Sequence, residues 1–226
     1  MLRPFFSYYG AKWRSAPRYP TPTFGTIIEP FAGAAGYALR HHQRQVILVE
    51  RNPVVASVWR YLLTADEKTL PPPVDALADL PLGTSDGARN LVGFNLSNGS
   101  DHIALKLSSW LVKARKRWPI YGWSQMQRAR VASQLKYIRH WQVIEGDYTE
   151  APNIPATWFV DPPYNNRAGR HYKTQVDHRE LAVWCRARAG QVVVCESVGA
   201  EWLPFRPMFE TSGIRGKSKE AIWVAP

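Results

Sequence analysis

Cysteine is nearly absent from this chain of 226 residues: only Cys185 and Cys195 occur, with no Cys-x-x-Cys and no histidine pair beside them. That excludes a disulfide framework and a thiolate metal centre, so both read as small buried hydrophobes and no metal is expected. No apolar run approaches the roughly 20 residues that a membrane-spanning helix needs. The opening Arg3-Pro4 leads straight into aromatics rather than into a signal-peptide core, so the expectation is a cytoplasmic protein with no membrane partner. Negative charge is missing over one long stretch, with no acidic residue between Asp101 and Glu145.

What is present points to a polyanionic partner. The formal net charge is +11 and the pI about 9.9, and ten Trp and ten Tyr add stacking surfaces. The acid-free stretch holds Lys106, Lys113, Arg115, Lys116, Arg117, Arg128, Arg130, Lys136 and Arg139, interleaved with Trp110, Trp118, Tyr121, Trp123, Tyr137 and Trp141. A charge run is usually a solvated face and the aromatics can form a small core. A face without counter-charge also attracts phosphates, whose binding releases counterions. Two helices fit there, roughly 102–117 and 124–139, with Trp118-Pro119-Ile120-Tyr121-Gly122 as the turn between them.

The rest alternates short apolar strands with helical spacing. Runs at 26–29, 46–50, 142–145, 158–160, 191–196 and 221–224 read as strands, the middle ones buried as in a parallel sheet, and 54–63 reads as a crossover helix. Composition changes after Thr64, with Pro71-Pro72-Pro73, Pro81, Gly83 and Gly87 over a poorly periodic stretch. The expectation is one α/β unit from 1–64 and 142–226, with 65–141 inserted as a helical basic segment. Arg215 to Glu220 reads as a basic hairpin turn.

Three strand ends carry chemistry. Trp158-Phe159-Val160 stops at Asp161-Pro162-Pro163-Tyr164, because proline cannot donate to a ladder, so Asp161 lies at a carboxyl edge of the sheet, where open α/β sheets bind ligands. A nucleobase amine is a poor nucleophile, its lone pair being delocalised into the ring. Asp161 and the Pro162 carbonyl, accepting its two N–H groups, favour a more pyramidal nitrogen, and Tyr164 can stack on an extruded base. The bland reading is a Pro-Pro turn. The run 26–36 reads as strand, tight turn at Gly33 and helix start, and Val46 to Val49 ends at Glu50, an acid placed to accept from both ribose hydroxyls of an adenosine. A nicotinamide dinucleotide fits that pattern as well. Asp147-Tyr148, after the strand at 142–145, can bind and pack an adenine; a surface turn is the alternative. Past the tetrapeptide, Asn165 to Tyr172 is polar and basic, suiting a loop that meets a flipped nucleotide.

Asp161-Pro162-Pro163-Tyr164 resembles the catalytic motif of amino-methyltransferases, and the chain as a whole resembles the Dam-type (D12 class) DNA adenine-N6 methyltransferases. The order of motifs is theirs: Tyr8-x-Gly10-x-Lys12, Glu29-Pro30-Phe31-Ala32-Gly33, a strand-end acid, an insertion, Asp147-Tyr148, then the tetrapeptide. The resemblance implies a Rossmann-like α/β fold with a mostly parallel sheet, S-adenosyl-L-methionine as cofactor, and methylation of adenine in double-stranded DNA by a monomer, alone or within restriction-modification. It implies cofactor contacts at Tyr8, Lys12, Phe31, Ala32, Gly33, Glu50, Asp147 and Tyr148, catalysis at Asp161, Pro162, Pro163 and Tyr164, and DNA contacts at Arg115, Lys116, Arg117, Arg128, Arg130, Arg170 and Tyr172. It departs at Ala35, where the family has glycine and this chain delays its second glycine to Gly36, and at Glu50, where Asp is commoner. N4-cytosine or RNA adenine as substrate, and a DNA-binding protein without turnover, are the other readings.

Overall fold

The computed structural model describes residues 1–166, 176–213 and 216–225. Among the described residues seven strands form one sheet: β1 (Thr26–Glu29), β2 (Gln45–Glu50), β3 (Gln142–Glu145), β4 (Ala156–Val160), β5 (Gly190–Ser197), β6 (Arg206–Gly213) and β7 (Gly216–Val224). Their spatial order is β3-β2-β1-β4-β5-β7-β6, with β1 to β5 parallel and β7 antiparallel to both of its neighbours. The chain runs outward from β1 to β3 and then returns past β1 to β4, so the order reverses between β1 and β4. This is a Rossmann-like, mostly parallel arrangement, with a reversed β7 inserted beside β5.

Alternation along the strands explains why both faces are covered. Ile27, Val46, Leu48, Phe159, Val193 and Cys195 belong to one core, while Ile28, Ile47, Val49, Trp158, Val160, Val192 and Val194 belong to the other. Successive side chains point to opposite faces, so a strand apolar at every position needs a layer on each side. One layer comes from the amino-terminal arm (Leu2, Phe5, Phe6), α1 (Pro53–Thr64), α2 (Asp86–Asn95) and α4 (Gln125–Leu135); the other comes from α5 (His178–Arg186). Asn52 caps α1, its side chain accepting from Val54 N with proline following, and Asp177 caps α5 by accepting from Arg179 N and Glu180 N.

Four sequence expectations change. The glycine turn leads into a short 3-10 turn, Ala38–His41, rather than a full helix, because Gly33 (φ 45°) and Ala35 (φ 49°) keep the chain out of the right-handed region until β2 is near. The insertion has shorter helices than expected, α3 (Ser109–Arg115) and α4, and α2 forms in the stretch whose pattern is poorly periodic. α2 lies against α1 through Gly87, where a Cβ would come within 2.5 Å of the Ser57 carbonyl. Third, the insertion forms no core of its own among the described residues: Trp123, Val131 and Leu135 join the core of the first face. Last, Glu220 lies within β7 instead of in a hairpin turn, and β6, whose Pro207 interrupts a weak pattern, was not anticipated.

No helix among the described residues is long and apolar enough to cross a membrane.

Candidate active site

The carboxyl ends of β1, β2, β3 and β4 meet at one edge, and a cavity of about 380 Å³ opens there, a size that suits a small-molecule ligand. Tyr8, Lys12, Phe31, Ala32, Gly33, Glu50, Asp147 and Tyr148 all line it, and so do Asp161 and Pro163. The glycine turn and the tetrapeptide, 128 residues apart in sequence, therefore share one chamber at the point where the strand order reverses, the place where such sheets take ligands. Pro162 is buried and Tyr164 half-buried, and neither of the two lines the chamber.

The glycine turn is built by close approach. Ala32 N donates to Val49 O (3.1 Å) and Ala35 N to Ala32 O (2.7 Å), while Trp59 Nε1 donates to Gly33 O (2.7 Å). A Cβ on Gly33 would sit 3.1 Å from the Tyr8 ring, and one on Gly36 would sit 2.5 Å from Trp13 N. The delayed glycine thus serves the arm, letting the Lys12-Trp13 backbone lie directly on the turn. Ala35 holds the left-handed conformation that its residue type disfavours. Glu50 braces the turn from β2, accepting from Gly33 N and Asn52 N at 2.8 Å each, and burial pushes its carboxyl upward. Phe31 stacks on Tyr148 with centroids 5.3 Å apart. Asp147 caps the turn after β3 in a reciprocal capping box with Glu150 and pairs with Arg51 at 3.3 Å.

Lys12 reaches from the arm to the tetrapeptide. Its Nζ stands 2.8 Å from Asp161 Oδ1 and 3.0 Å from Oδ2, but the angles make a hydrogen bond only to Oδ2. Oδ1 is left buried, with an ionic neighbour but no hydrogen-bond partner among the described residues. Burial pushes Asp161 up to about 6, and the Lys12 charge pulls against that shift. Burial by itself would lower Lys12, but Asp161 and Glu220 outweigh it and hold the ammonium above its usual range. The same Nζ lies 4.7 Å from the Tyr164 ring centroid.

Several further residues belong to the site, Glu29 among them, which the motif of the glycine turn contains without a role of its own. Glu29, 2% exposed, lines the cavity at the end of β1; burial pushes its carboxyl up to about 8, against the pull of the Ala38 and Tyr37 amides. Its signal was present, an acid closing an apolar strand, as at Glu50. Asp101 and His102, bonded to each other at 2.9 Å, stand at the rim on a loop tied to the arm by Tyr9 N to Ser100 O. His178 Nε2 lies 3.0 Å from the Pro163 carbonyl, pinning the tetrapeptide to α5.

The basic insertion divides. Arg128 donates to the carbonyls of Glu67, Leu70 and Pro71, Arg130 to Pro4 O and Gln127 Oε1, and Arg115 to Tyr121 O and to Asp75 at 2.6 Å. For Arg128 the reason is the proline-rich coil, whose carbonyls have no ladder and need donors that a guanidinium supplies in numbers. Lys116 and Arg117 face solvent together with Lys106 and Lys113, beside half-exposed Trp110 and Trp118. Arg170 and Tyr172 lie outside the described residues.

Neither a family model nor a curated protein matches this sequence. Among solved structures, the chain is similar to "Putative methyltransferase yhhF" of Escherichia coli at 10% identity and TM-score 0.37, covering 89% of this chain and 76% of that one. It is also similar to a conserved hypothetical protein of Streptococcus pyogenes (13% identity, TM-score 0.37, 89% and 86% covered). A third is "putative methylase HI0767" of Haemophilus influenzae (12%, TM-score 0.34, 88% and 78%). Likenesses this distant leave the fold assignment to the strand order itself.

Proposed function

We propose that this chain transfers a methyl group from S-adenosyl-L-methionine to the N6 amine of adenine in double-stranded DNA, acting as a monomer on a base rotated out of the helix. The observation that carries the reading is Asp161, a buried carboxylate paired with Lys12 at 2.8 Å, in the cavity that also holds the glycine turn and Glu50.

The chamber's side chains fit an adenosyl amino acid. Glu29, held protonated by burial up to about 8, offers a carboxylate once an ammonium is there to pair with it, Glu50 keeps lone pairs for ribose hydroxyls, and Phe31 and Tyr148 offer ring faces to an adenine. Gly33 leaves the space beside Tyr8 that a side chain would fill. The chemistry such a cofactor supplies is an electrophilic sulfonium methyl. Asp161 then accepts one N–H of the target amine through Oδ1, and the rigid Pro162 carbonyl accepts the other, freeing the nitrogen lone pair. Lys12 keeps Asp161 ionised against its burial, and Tyr164 stacks on the extruded base. The exposed Lys113, Lys116 and Arg117 with Trp110 and Trp118 supply the phosphate-facing surface.

The test is direct. Incubation with genomic DNA and cofactor, digestion to nucleosides and mass spectrometry should show N6-methyladenine. Asp161→Ala should drop the yield to background while calorimetry still finds cofactor binding. N4-methylcytosine in its place would move the substrate, and methyl label retained by the alanine variant would overturn the role of Asp161.

A further inference from the structure

Glu220 is not a ligand of the target amine, yet it is a buried carboxylate, 6% exposed, directed at the tetrapeptide. Tyr164 Oη donates to Glu220 Oε2 at 2.6 Å, a length typical of a charge-assisted bond, and Tyr19 Oη donates to the same oxygen at 3.2 Å. Tyr19 is itself wedged edge-on against Phe159 of β4 (5.1 Å) and Phe209 of β6 (5.6 Å). The reversed direction of β7 makes this possible: Glu220 pairs with Ser197, at the carboxyl end of β5, so it emerges at the same edge as Asp161.

We infer that Glu220 is a positioning residue that fixes the Tyr164 ring in the attitude in which it meets the target base; the inference rests on the stacking role proposed for Tyr164. A tyrosine held only at its backbone can swing about two side-chain torsions. Here the near end is fixed by Pro162-Pro163 and by Asn165 N donating to Glu196 Oε2 (2.9 Å), and the far end by Glu220. Lys12 lies 4.7 Å from the ring centroid, so the ring is defined at backbone, face and hydroxyl before any base arrives. A second tyrosine on the same oxygen orients the carboxylate in turn.

Proton NMR of the protein without DNA should show a slowly exchanging Tyr164 hydroxyl resonance, assigned by its loss in Tyr164→Phe. It should vanish in Glu220→Ala and persist, displaced, in Glu220→Gln, which keeps an acceptor; Glu220→Gln also serves if the alanine variant folds poorly. On DNA, Tyr164→Phe and Glu220→Ala should each slow methylation about tenfold at full cofactor-binding stoichiometry, with the double variant no worse than either and Glu220→Gln largely restored. A resonance indifferent to Glu220, or losses that multiply in the double variant, would refute the anchor. If the wild type binds cofactor but methylates no DNA, the substrate reading fails and the hydroxyl resonance alone decides the role of Glu220.

Discussion

Asp161 is where burial and charge compete most directly. Taking the carboxylate out of water lifts it to about 6, and Lys12 limits the rise. Under the proposed mechanism only the ionised form accepts from the amine, so the methylation rate should fall about tenfold per pH unit below about 6. Lys12→Met removes the opposing cation, so the acid limb should move to higher pH; initial rates from about pH 5 to about pH 9 would show it. A limb that stays in place would mean the pair does not govern the reaction. Glu29 gives a stability counterpart. Its carboxyl is raised by burial from 4.5 to about 8, so the fold binds its proton more tightly than the unfolded chain does. That contribution is fully present below 4.5 and is lost as pH rises through about 8. Glu29→Gln keeps an oxygen for the Ala38 amide, which now donates to Glu29 at 2.6 Å. The variant should therefore lose less melting temperature than wild type between about pH 5 and about pH 8, and identical slopes in thermal scans would count against the assignment.

The element that matters most is the turn after β1, because three segments converge on it. The arm lies on Gly36, the Tyr8 ring lies on Gly33, and Glu50 ties the turn to β2. A Cβ at Gly36 would meet backbone atoms of Lys12 and Trp13 at 2.9 and 2.5 Å, and backbone cannot rotate aside as a flexible side chain can. Gly36→Ala should therefore cost about 1–3 kcal/mol and displace the arm, so that cofactor affinity falls along with the melting temperature. Gly25→Ala, at an exposed position with nothing within 4 Å, is the matched control and should change stability by less than about 1 kcal/mol. Denaturant titration of both variants separates close approach from a general dislike of alanine at glycine positions.

Across the whole molecule, an excess of eleven positive charges does two different jobs. Arg115, Arg128 and Arg130 hold the insertion and the arm together, while Lys106, Lys113, Lys116 and Arg117 are left to solvent. Replacing Lys113, Lys116 and Arg117 together by Gln should leave the melting temperature nearly unchanged. It should also flatten the salt dependence of DNA binding by about 2–3 in the log-log slope, if each contacts a phosphate. Arg128→Ala should do the reverse, lowering stability because the carbonyls of Glu67, Leu70 and Pro71 lose its guanidinium, with little change in salt slope. Fluorescence titrations at several salt concentrations distinguish the two groups, and equal slopes for all variants would remove the proposed DNA face.

Local pattern was enough to specify strands at 26–29, 46–50 and 158–160, a helix over 54–63 and the acids at the ends of β2 and β4, because apolar runs, prolines and capping residues act within a few residues of themselves. The number of positive charges was equally legible, but their purpose was not, since whether an arginine meets a phosphate or a carbonyl depends on which coil folds beside it. Only the tertiary structure decided that Gly36 seats the arm, that Ala35 keeps a left-handed turn, and that a strand running backwards carries Glu220 to Tyr164. The first and last of those are contacts between segments distant in sequence. Periodicity and propensity carry no record of such contacts, because they describe a chain's preferences before it meets itself.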